Sequence, residues 1–341
     1  MGTKWLYWFE ELNSGHNELV GKKCANLGEI TRLGMRIPPG FAISIDGYER
    51  FMAETGAGEE IRQYVRENRD LLKEIKNQIK ASQVIRDIIE SKEMPIVMRD
   101  ELFLFYEQLK ERAGEKELSV AVRSSGAVSM PGQMESYLNV RWKESLIQKV
   151  IQVWGSAFTT RAIAFRLEKG MEMDKAPIGI AVLKMVEAKS AGVVLTVLPT
   201  IGDTSKVVVE GNWGLGESVV SGDINPDQFI VDKNNGHVES TINRKTKMVI
   251  YHKSGTITAD VPAEIQDRPC VETEELKEIV RIAKEVEAHF QVPQDMEWVL
   301  DRSQCIPENL YWVQARPAKY AKVKEKESEY LAELMTRIFK F

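Results

Sequence analysis

Residues 118–140, LSVAVRSSGAVSMPGQMESYLNV, restrict the possible folds more than any other stretch of this sequence. Positions 118–122 read as a short strand, and Arg123 stands at its end, where a strand delivers a side chain to a site. A loop of small residues follows, and such loops let backbone N–H groups approach a phosphate closely. The guanidinium adds a planar, permanent positive charge. The stretch therefore suggests a polyphosphate site, although an ordinary hairpin with a surface arginine uses the same turn residues.

Composition restricts the class of protein. The chain has 341 residues, of which 43% are hydrophobic and 28% charged, so it is long enough for two packed lobes. The net charge of -5 argues against a nucleic-acid partner, because that binding requires a concentrated positive surface. The cysteines are odd in number and form no CxxC pair, which disfavours a disulfide framework or a zinc site. Without an apolar leader or membrane span, we expect a cytoplasmic protein that does not associate with membranes.

Two motifs within residues 118–140, AVRSS and SMPGQMESYLNV, resemble the nucleotide-binding domain of phosphoenolpyruvate synthase, pyruvate phosphate dikinase and rifampin phosphotransferase. The resemblance implies an α+β chain with a two-lobed ATP-grasp-like nucleotide-binding fold and a helical insert. We expect the N-terminal lobe at 1–176, with the insert at about 46–115. The C-terminal lobe, with a metal site, is expected at 177–318, and a tail helix at 319–341.

The resemblance assigns the phosphate-binding residues of the first lobe. Residues 21–27, GKKCANL, resemble the family's glycine-glycine-lysine segment, whose lysine reaches the nucleotide phosphates, and Lys23 takes that position. Lys22 replaces a glycine there, and its charge either assists anion binding or faces water. Arg123 is the second catalytic cation of this lobe by the same resemblance. The residues that orient the triphosphate through amides or a hydroxyl are Gly132, Gln133 and Ser136.

Past residue 177, short apolar runs predict the strands of the second lobe, and residues 273–290 have the pattern of an amphipathic helix. In the family resemblance, residues 184–186 contact the adenine through the backbone, with Met185 packed on its face and Val186 beside it. Leu183 stands where the family typically carries a glutamine, so one polar nucleotide contact is replaced. Alternatively, these residues form a buried strand in which the methionine only fills a gap in the core.

Residues 210–217, EGNWGLGE, could be mistaken for a dinucleotide fingerprint. Their glycines follow the order G-x-x-G-x-G, and 218–222 is predicted to be extended rather than to begin a helix, so a nicotinamide site is not expected. The segment from residue 210 to Asp227 instead resembles the family's WGLGExVVxGxxxPD motif. By that resemblance Glu210 belongs to the ATP site.

Two further motifs predict a metal site. Residues 292–298 resemble the family's PQDIEW, residues 310–317 resemble its LYILQTRP, and both are predicted to be strands of one hairpin. Alternation along a strand places positions 295 and 297 on one face, and 314 and 316 on one face. By resemblance Glu297 and Gln314 bind Mg²⁺, which shares its other positions with water and phosphate oxygens, and Arg316 is a catalytic phosphate arginine. Without the resemblance, Glu297 could be an edge-strand carboxylate.

The resemblance also implies the reaction and a partner. The family transfers the β-phosphoryl end of ATP to a histidine and releases AMP and phosphate, which requires positioning and charge neutralisation more than covalent work by the protein. Relatives carry that histidine within a TSHAA-like segment of a mobile domain. No such context surrounds any histidine of this sequence, namely His16, His237, His252 and His289. We therefore expect a separate subunit that carries the phosphorylatable histidine.

Three functions stay open. The favoured one is the ATP-binding subunit of phenylphosphate synthase, which rests on the split architecture and on no residue that recognises phenol. The second is the detached ATP domain of a phosphoenolpyruvate synthase-like pyruvate, water dikinase, and the third is a non-catalytic ATP-binding sensor. The tail has an apolar stripe at helical spacing, which predicts a helix that docks a partner subunit or folds back on its own domain. Its members are Tyr330, Leu331, Leu334, Met335, Ile338 and Phe339.

Overall fold

The computed structural model describes residues 4–127, 134–222, 224–253 and 255–321, and the predicted tail helix lies outside them from residue 322 onward. The chain divides into two compact units: Met1–Val186 with Ile250–Ile257, and Glu187–Val249 with Thr258–Phe341. Each unit combines an antiparallel sheet with helices, so the predicted α+β class is confirmed. Among the described helices, none combines the length and the apolar character needed to cross a membrane.

The first unit is built on an antiparallel sheet. Its described strands are β1 (Leu6–Trp8), β2 (Gly40–Ile43), β3 (Ser119–Gly126), β4 (Ser136–Arg141) and β5 (Ile178–Lys184). Their order across the sheet is β1-β2-β5-β3-β4. Strand β5 pairs with both β2 and β3 and is buried along almost its whole length, as its apolar sequence IGIAVLK requires. The division between the units therefore falls at Val186, later than the predicted boundary at residue 176.

Helices cover this sheet. They are α1 (Asn17–Arg32), α2 (Ile45–Glu54), α3 (Ala57–Asn68), α4 (Ile75–Glu90), α5 (Ile96–Ala113), α6 (Lys143–Ser156) and α7 (Thr160–Glu168), with 3-10 turns at Phe9–Glu11, Ser14–His16 and Leu71–Lys73. Helices α2 to α5 occupy the region of the predicted insert. Their apolar stripes join the core around Trp154, whose ring lies 4.8 Å from that of Phe51 between centroids.

The second unit contains the other large sheet. Its described strands are β6 (Ala188–Leu195), β7 (Lys206–Trp213), β8 (Asp227–Asp232), β9 (Val238–Thr241), β12 (Gln294–Asp301) and β13 (Leu310–Pro317). A separate hairpin of β10 (Lys247–Tyr251) and β11 (Thr256–Asp260) is divided between the units, since Ile250–Ile257 belongs to the first. The order across the sheet is β13-β12-β6-β7-β8-β9, with antiparallel neighbours. The helical elements are α8 (Glu217–Val220), a 3-10 turn at Ala263–Ile265 and α9 (Thr273–Phe290), and α9 coincides with the helix predicted there.

The two faces of this second sheet differ in character. Alternation along β12 buries Met296, Trp298 and Leu300 on one side, and α9 packs against β12, β6 and β7. The Trp298 ring packs closely on Gly211, where an added Cβ would lie 2.8 Å from the ring. The side chains that alternate with these, among them Asp295 and Glu297, point to the opposite face.

One local prediction is wrong. Residues 217–220 form a single helical turn, with the Ser221 N–H bonded to the Glu217 carbonyl at 2.9 Å, whereas 218–222 was expected to be extended. Val219 and Val220 have a high β-strand propensity, which led to the prediction. The segment instead connects β7 to β8, and tertiary structure outweighs the local propensity there. Gly214 just before this turn has φ of 74°, and an added Cβ would lie 2.4 Å from the Val249 carbonyl oxygen. This position therefore requires glycine.

Candidate functional site

Strands β3 and β4 present the predicted phosphate arginine of the first unit. Arg123 is paired in register with Ser136, and the side chains of directly opposite residues lie on the same face of a sheet. Ser136 is exposed and Arg123 half-buried, and the register places these two predicted phosphate-binding residues opposite each other. The predicted loop residues Gly132 and Gln133 lie outside the described residues.

A kink in α1 places Lys23 beside the same strand end. Gly21 has φ of 76° and ψ of 161°, which is not helical, and it lies against the Ser125 carbonyl. The Cys24 N–H donates to the Ser125 hydroxyl at 3.0 Å, so the first turn after the kink is tied to β3 only two residues from Arg123. Lys23 is half-buried in this turn, whereas Lys22 is exposed and faces water. The kink therefore holds Lys23 near the end of β3, and its role in phosphate binding stays a prediction.

Replacing Gly21 with alanine is expected to destabilise the first unit by about 2 kcal/mol or more, because a Cβ there would lie 1.9 Å from the Ser125 carbonyl oxygen. Gly34→Ala is the matched control. Gly34 also has a positive φ, 79°, but nothing lies within 4 Å of its added Cβ, so this variant tests a positive φ without the steric contact. Urea unfolding of both variants measures the difference. Equal losses of unfolding free energy would show that the contact with Ser125 does not matter.

The two buried cysteines, Cys24 in the first unit and Cys270 in the second, add no nucleophile. Burial raises the pKa of the Cys24 thiol to about 12, which outweighs the opposing effects of the Ser125 hydroxyl and Lys23. Burial likewise raises the pKa of Cys270, and the neighbouring Asp227 carboxylate raises it further. Both thiols therefore stay protonated at neutral pH, and a thiolate mechanism has no support from either.

The predicted adenine segment follows β5. The Met185 N–H donates to the Ser119 carbonyl at 2.9 Å, and the Val186 carbonyl accepts from the Tyr251 hydroxyl. Leu183 is buried between its partners Gly40 and Ala121, so it is a core residue of the sheet. These bonds hold residues 184–186 in place but occupy two of the backbone groups that could otherwise contact a base.

The helical insert contributes a support that sequence reasoning missed. Arg86 of α4 forms a forked ion pair with Glu135, with Nη1 to Oε1 at 2.8 Å and Nη2 to Oε2 at 3.2 Å. The Tyr137 hydroxyl donates to the same carboxylate. Glu135 directly precedes Ser136, so the insert fixes the start of β4 at the candidate phosphate site. This ion pair could not be predicted from the sequence, because Glu135 and Arg86 lie 49 positions apart.

The second unit gathers polar side chains in one row across its sheet. The register pairs Gln314 with Glu297, Glu297 with Val193, Val193 with Glu210, and Glu210 with Gln228. Residues in such a row point to the same face and lie roughly 4.8 Å apart from strand to strand. The Gln228 amide donates to the Glu210 carboxylate at 2.8 Å. We call this row and the Asp295–Arg316 pair beside it the polar face.

The predicted hairpin of β12 and β13 forms, and it carries both predicted phosphate and metal residues. Asp295 is opposite Arg316, and Glu297 is opposite Gln314. Asp295 Oδ2 accepts from Arg316 Nε at 2.9 Å and from Nη2 at 2.7 Å, which fixes the plane of the guanidinium. The sequence placed Asp295 on this face without a role. Its i, i+2 spacing from Glu297 was the available signal, but only the pairing register reveals that it orients Arg316.

The polar face fits Mg²⁺ by its donor set. One carboxylate and one amide oxygen, on Glu297 and Gln314, come from directly opposite positions of an antiparallel pair. Mg²⁺ binds commonly through one or two carboxylates and completes its shell with water and phosphate oxygens. Within the described ranges there is no group of three or more His, Cys, Asp or Glu residues that could hold a metal. The residues therefore suit a metal shared with a phosphate ligand better than an all-protein cage.

Asp227, the acidic end of the PD motif, lies in a buried network. Its Oδ1 accepts from Lys245 Nζ at 2.7 Å and from the Asn243 N–H at 3.0 Å, and its Oδ2 accepts from the Cys270 N–H at 2.8 Å. Asp227 and Lys245 side chains are both 0% exposed. This enclosed carboxylate holds β8 to the segments around residues 245 and 270. We therefore attribute a structural role in the second unit to Asp227, not a catalytic one.

Comparison with known proteins gives consistent matches over this whole region. A family model described as the pyruvate phosphate dikinase AMP/ATP-binding domain matches residues 17–336. The chain is 34% identical to the phosphoenolpyruvate synthase of Aeropyrum pernix, over 96% of this chain and 44% of that protein. It is also 34% identical to probable phosphoenolpyruvate synthases of Methanocaldococcus jannaschii, over 96% of this chain and 28% of that protein, and of Methanothermobacter thermautotrophicus, over 92% and 46%. The chain thus spans less than half the length of these relatives.

Proposed function

Because this chain belongs to the family of the pyruvate phosphate dikinase AMP/ATP-binding domain, we propose that it is the ATP-binding part of a split phosphotransferase. It transfers the β-phosphoryl end of ATP to a histidine on a partner subunit and releases AMP and phosphate. The observation that carries the proposal is the polar face, where Arg316 is held by Asp295 next to the Glu297–Gln314 pair. Such a set supports binding of a metal–triphosphate.

The roles follow from charge and geometry. In the second unit, Arg316 supplies positive charge to the phosphates. In the first unit, Lys23 and Arg123 are the cations that the family resemblance assigns to phosphate binding. Asp295 accepts from Nε and Nη2 of Arg316, so the N–H groups of Nη1 and the second N–H of Nη2 can donate to phosphate oxygens. Glu297 and Gln314 would hold Mg²⁺, which supplies charge neutralisation on the phosphates when bound. The Ser136 hydroxyl, opposite Arg123, orients the phosphates further.

We propose that the phosphorylated histidine lies outside residues 1–341, because no histidine of this sequence lies in the family's phosphorylated context. His16, for example, accepts the Asn13 N–H at its Nδ1 at 3.0 Å and closes a 3-10 turn, which is a structural use. For the final acceptor, similarity to proteins named phosphoenolpyruvate synthase favours pyruvate over phenol. Phenol, and with it phenylphosphate synthase activity, stays a prediction from the split architecture alone.

The proposal is tested with ATP labelled at the β-phosphate, incubated with Mg²⁺, this protein and an extract of its source organism. We expect AMP to form and acid-labile label to collect on a separate polypeptide, only when this protein is present. Arg316→Met should abolish the label, whereas Arg268→Met, at an exposed arginine, should not. Pyruvate and phenol as unlabelled acceptors then show which one discharges the label. Bound ATP without AMP or transferred label would favour the sensor function instead.

Asp295→Asn is expected to weaken ATP binding about tenfold, equivalent to about 1.4 kcal/mol, because the neutral amide no longer pairs with Arg316 as an anion. Asp260→Asn is the control, since Asp260 pairs with Lys247 at an exposed site on the β10–β11 hairpin, which is not part of the sheet that carries the polar face. Isothermal titration calorimetry with ATP and Mg²⁺ measures both. Unchanged affinity in Asp295→Asn would mean that Arg316 does not depend on this pair for its position.

A further inference from the structure

Strand β4 is irregular where it runs beside β3, and Asn139 lies at that irregularity. Val120 is paired with Val140 and Val122 with Tyr137, so β4 has one residue more than β3 between these two pairs. Such a bulge re-aims a side chain of the strand. Asn139 has φ of 53°, in the left-handed region, which asparagine adopts more readily than most residues. Its side chain is fully buried.

The amide of this buried side chain uses all of its hydrogen-bonding groups. Nδ2 of Asn139 donates to the carbonyls of His252 at 2.6 Å and of Gly255 at 2.8 Å. Oδ1 accepts from the Ser119 hydroxyl at 2.7 Å and from Arg141 Nε at 3.1 Å. A primary amide has two N–H donors and an oxygen with two lone pairs, so all four positions are filled. A buried polar group that is satisfied in this way makes its surroundings rigid.

The two carbonyls bound by Asn139 belong to the tip of the β10–β11 hairpin. This tip, residues 250–257, is part of the first unit. The His252 N–H donates to the Gly255 carbonyl at 3.2 Å, and the Gly255 N–H donates to the Asn139 carbonyl at 3.4 Å. Asn139 therefore holds the hairpin tip through both its side chain and its backbone.

Asn139 is connected to the predicted adenine segment by two routes. Ser119, whose hydroxyl donates to Asn139, accepts the Met185 N–H at its carbonyl at 2.9 Å. Tyr251 of the hairpin tip donates its hydroxyl to the Val186 carbonyl. These are the two bonds that hold the segment in place after β5. Both of them therefore depend on one buried side chain.

We propose that Asn139 and Tyr251 are positioning residues for the nucleotide base, which hold residues 184–186 in the conformation that receives the adenine. The inference rests on the proposed ATP-binding function and deepens it, because it concerns recognition of the base and not of the phosphates. Neither side chain contacts the base. Their effect is to order the segment before the nucleotide arrives, which lowers the entropic cost of binding.

Tyr251→Phe removes only the hydroxyl that holds Val186. Calorimetric titration should show that this variant binds Mg²⁺-ATP about fivefold more weakly than the wild type, while inorganic tripolyphosphate, which has no base, binds with unchanged affinity. Asn139→Gly accommodates the positive φ but lacks the side-chain bonds, so its selective loss should be at least as large. Tyr7→Phe is the matched control and should change neither affinity. The Tyr7 hydroxyl also donates to a backbone carbonyl, that of Lys4 at 3.0 Å, on the edge strand β1 of the same unit.

Hydrogen–deuterium exchange without nucleotide tests the positioning itself. The Met185 amide is bonded to the Ser119 carbonyl, and loss of the second bond at Val186 should let this segment open more often. We expect the Met185 amide to exchange about fivefold faster in Tyr251→Phe than in the wild type, and at the wild-type rate in Tyr7→Phe.

Three outcomes would overturn the inference. The first is ATP binding by Tyr251→Phe and Asn139→Gly with the affinity of the wild type. The second is an equal loss of affinity for ATP and tripolyphosphate, which would mean that these contacts stabilise the first unit in general. The third is an unchanged exchange rate at Met185 in Tyr251→Phe, which would contradict the positioning whether or not ATP binds. A wild-type protein that binds no ATP would instead contradict the proposed function, and with it the role of the segment in recognising a base.

Discussion

Replacing Glu297 with glutamine is expected to weaken the binding of Mg²⁺-ATP about 100-fold, or about 2.7 kcal/mol, while ATP binding without metal changes little. Glutamine keeps the size of the side chain and an oxygen ligand but removes the negative charge that Mg²⁺ prefers. The effect is specific to the metal because Glu297 lies directly opposite Gln314, where the two oxygens can share one ion. Calorimetric titrations with ATP, with and without Mg²⁺, measure the two affinities.

The control for this variant is Glu239→Gln. Glu239 lies on β9 of the same sheet and is exposed, and its register partner is Ile230. It is four strands away from β12, or roughly 19 Å, so the same change of charge should leave both affinities unchanged. If Glu297→Gln and Glu239→Gln reduced Mg²⁺-ATP binding equally, the loss would come from the net charge of the protein and not from a metal ligand.

Replacing Lys245 with methionine is expected to lower the free energy of unfolding by about 3–5 kcal/mol. Methionine has a similar length, so packing changes little, but the Asp227 carboxylate loses its only buried cationic partner among the described residues. The carboxylate would keep the N–H groups of Asn243 and Cys270, which offset only part of the cost of a buried charge. Urea unfolding followed by circular dichroism measures the loss.

Lys247→Met is the control two residues away. Lys247 pairs with Asp260, but these side chains are 54% and 82% exposed, and exposed pairs contribute between about 0 and 1 kcal/mol. The two variants make the same chemical change at a buried and an exposed ion pair. A loss below about 1 kcal/mol in Lys245→Met would contradict the assignment of Asp227 to the folding of the second unit.

Those parts of the fold that depend on local periodicity could be predicted from the sequence. Helix α9 has its apolar residues at helical spacing, and its predicted limits agree with the structure. The β12–β13 hairpin could be predicted together with its faces, because alternation along two adjacent strands determines which residues share a side. Lys23 and Arg123 were predicted through motif resemblance, and the bond from Cys24 to Ser125 joins the two segments that carry them.

What could not be predicted depends on contacts between distant parts of the chain. Arg86 and Glu135 are 49 positions apart, so no local pattern reveals that the insert supports β4. The role of Asp295 depends on a pairing register that brings it to Arg316, and the role of Asp227 depends on burial that its motif does not indicate. The helical turn at 217–220 shows the same limit, since its valines favour a strand that tertiary structure does not allow.

The most direct test of the central claim is a crystal structure of the protein with Mg²⁺ and a non-hydrolysable ATP analogue. We predict a metal ion about 2.0–2.1 Å from a carboxylate oxygen of Glu297 and from the Gln314 side-chain oxygen, with phosphate oxygens in its remaining positions. Arg316 should donate to a phosphate while it keeps its pair with Asp295. A metal–triphosphate bound to other side chains, with Glu297 and Gln314 free of metal, would contradict the account.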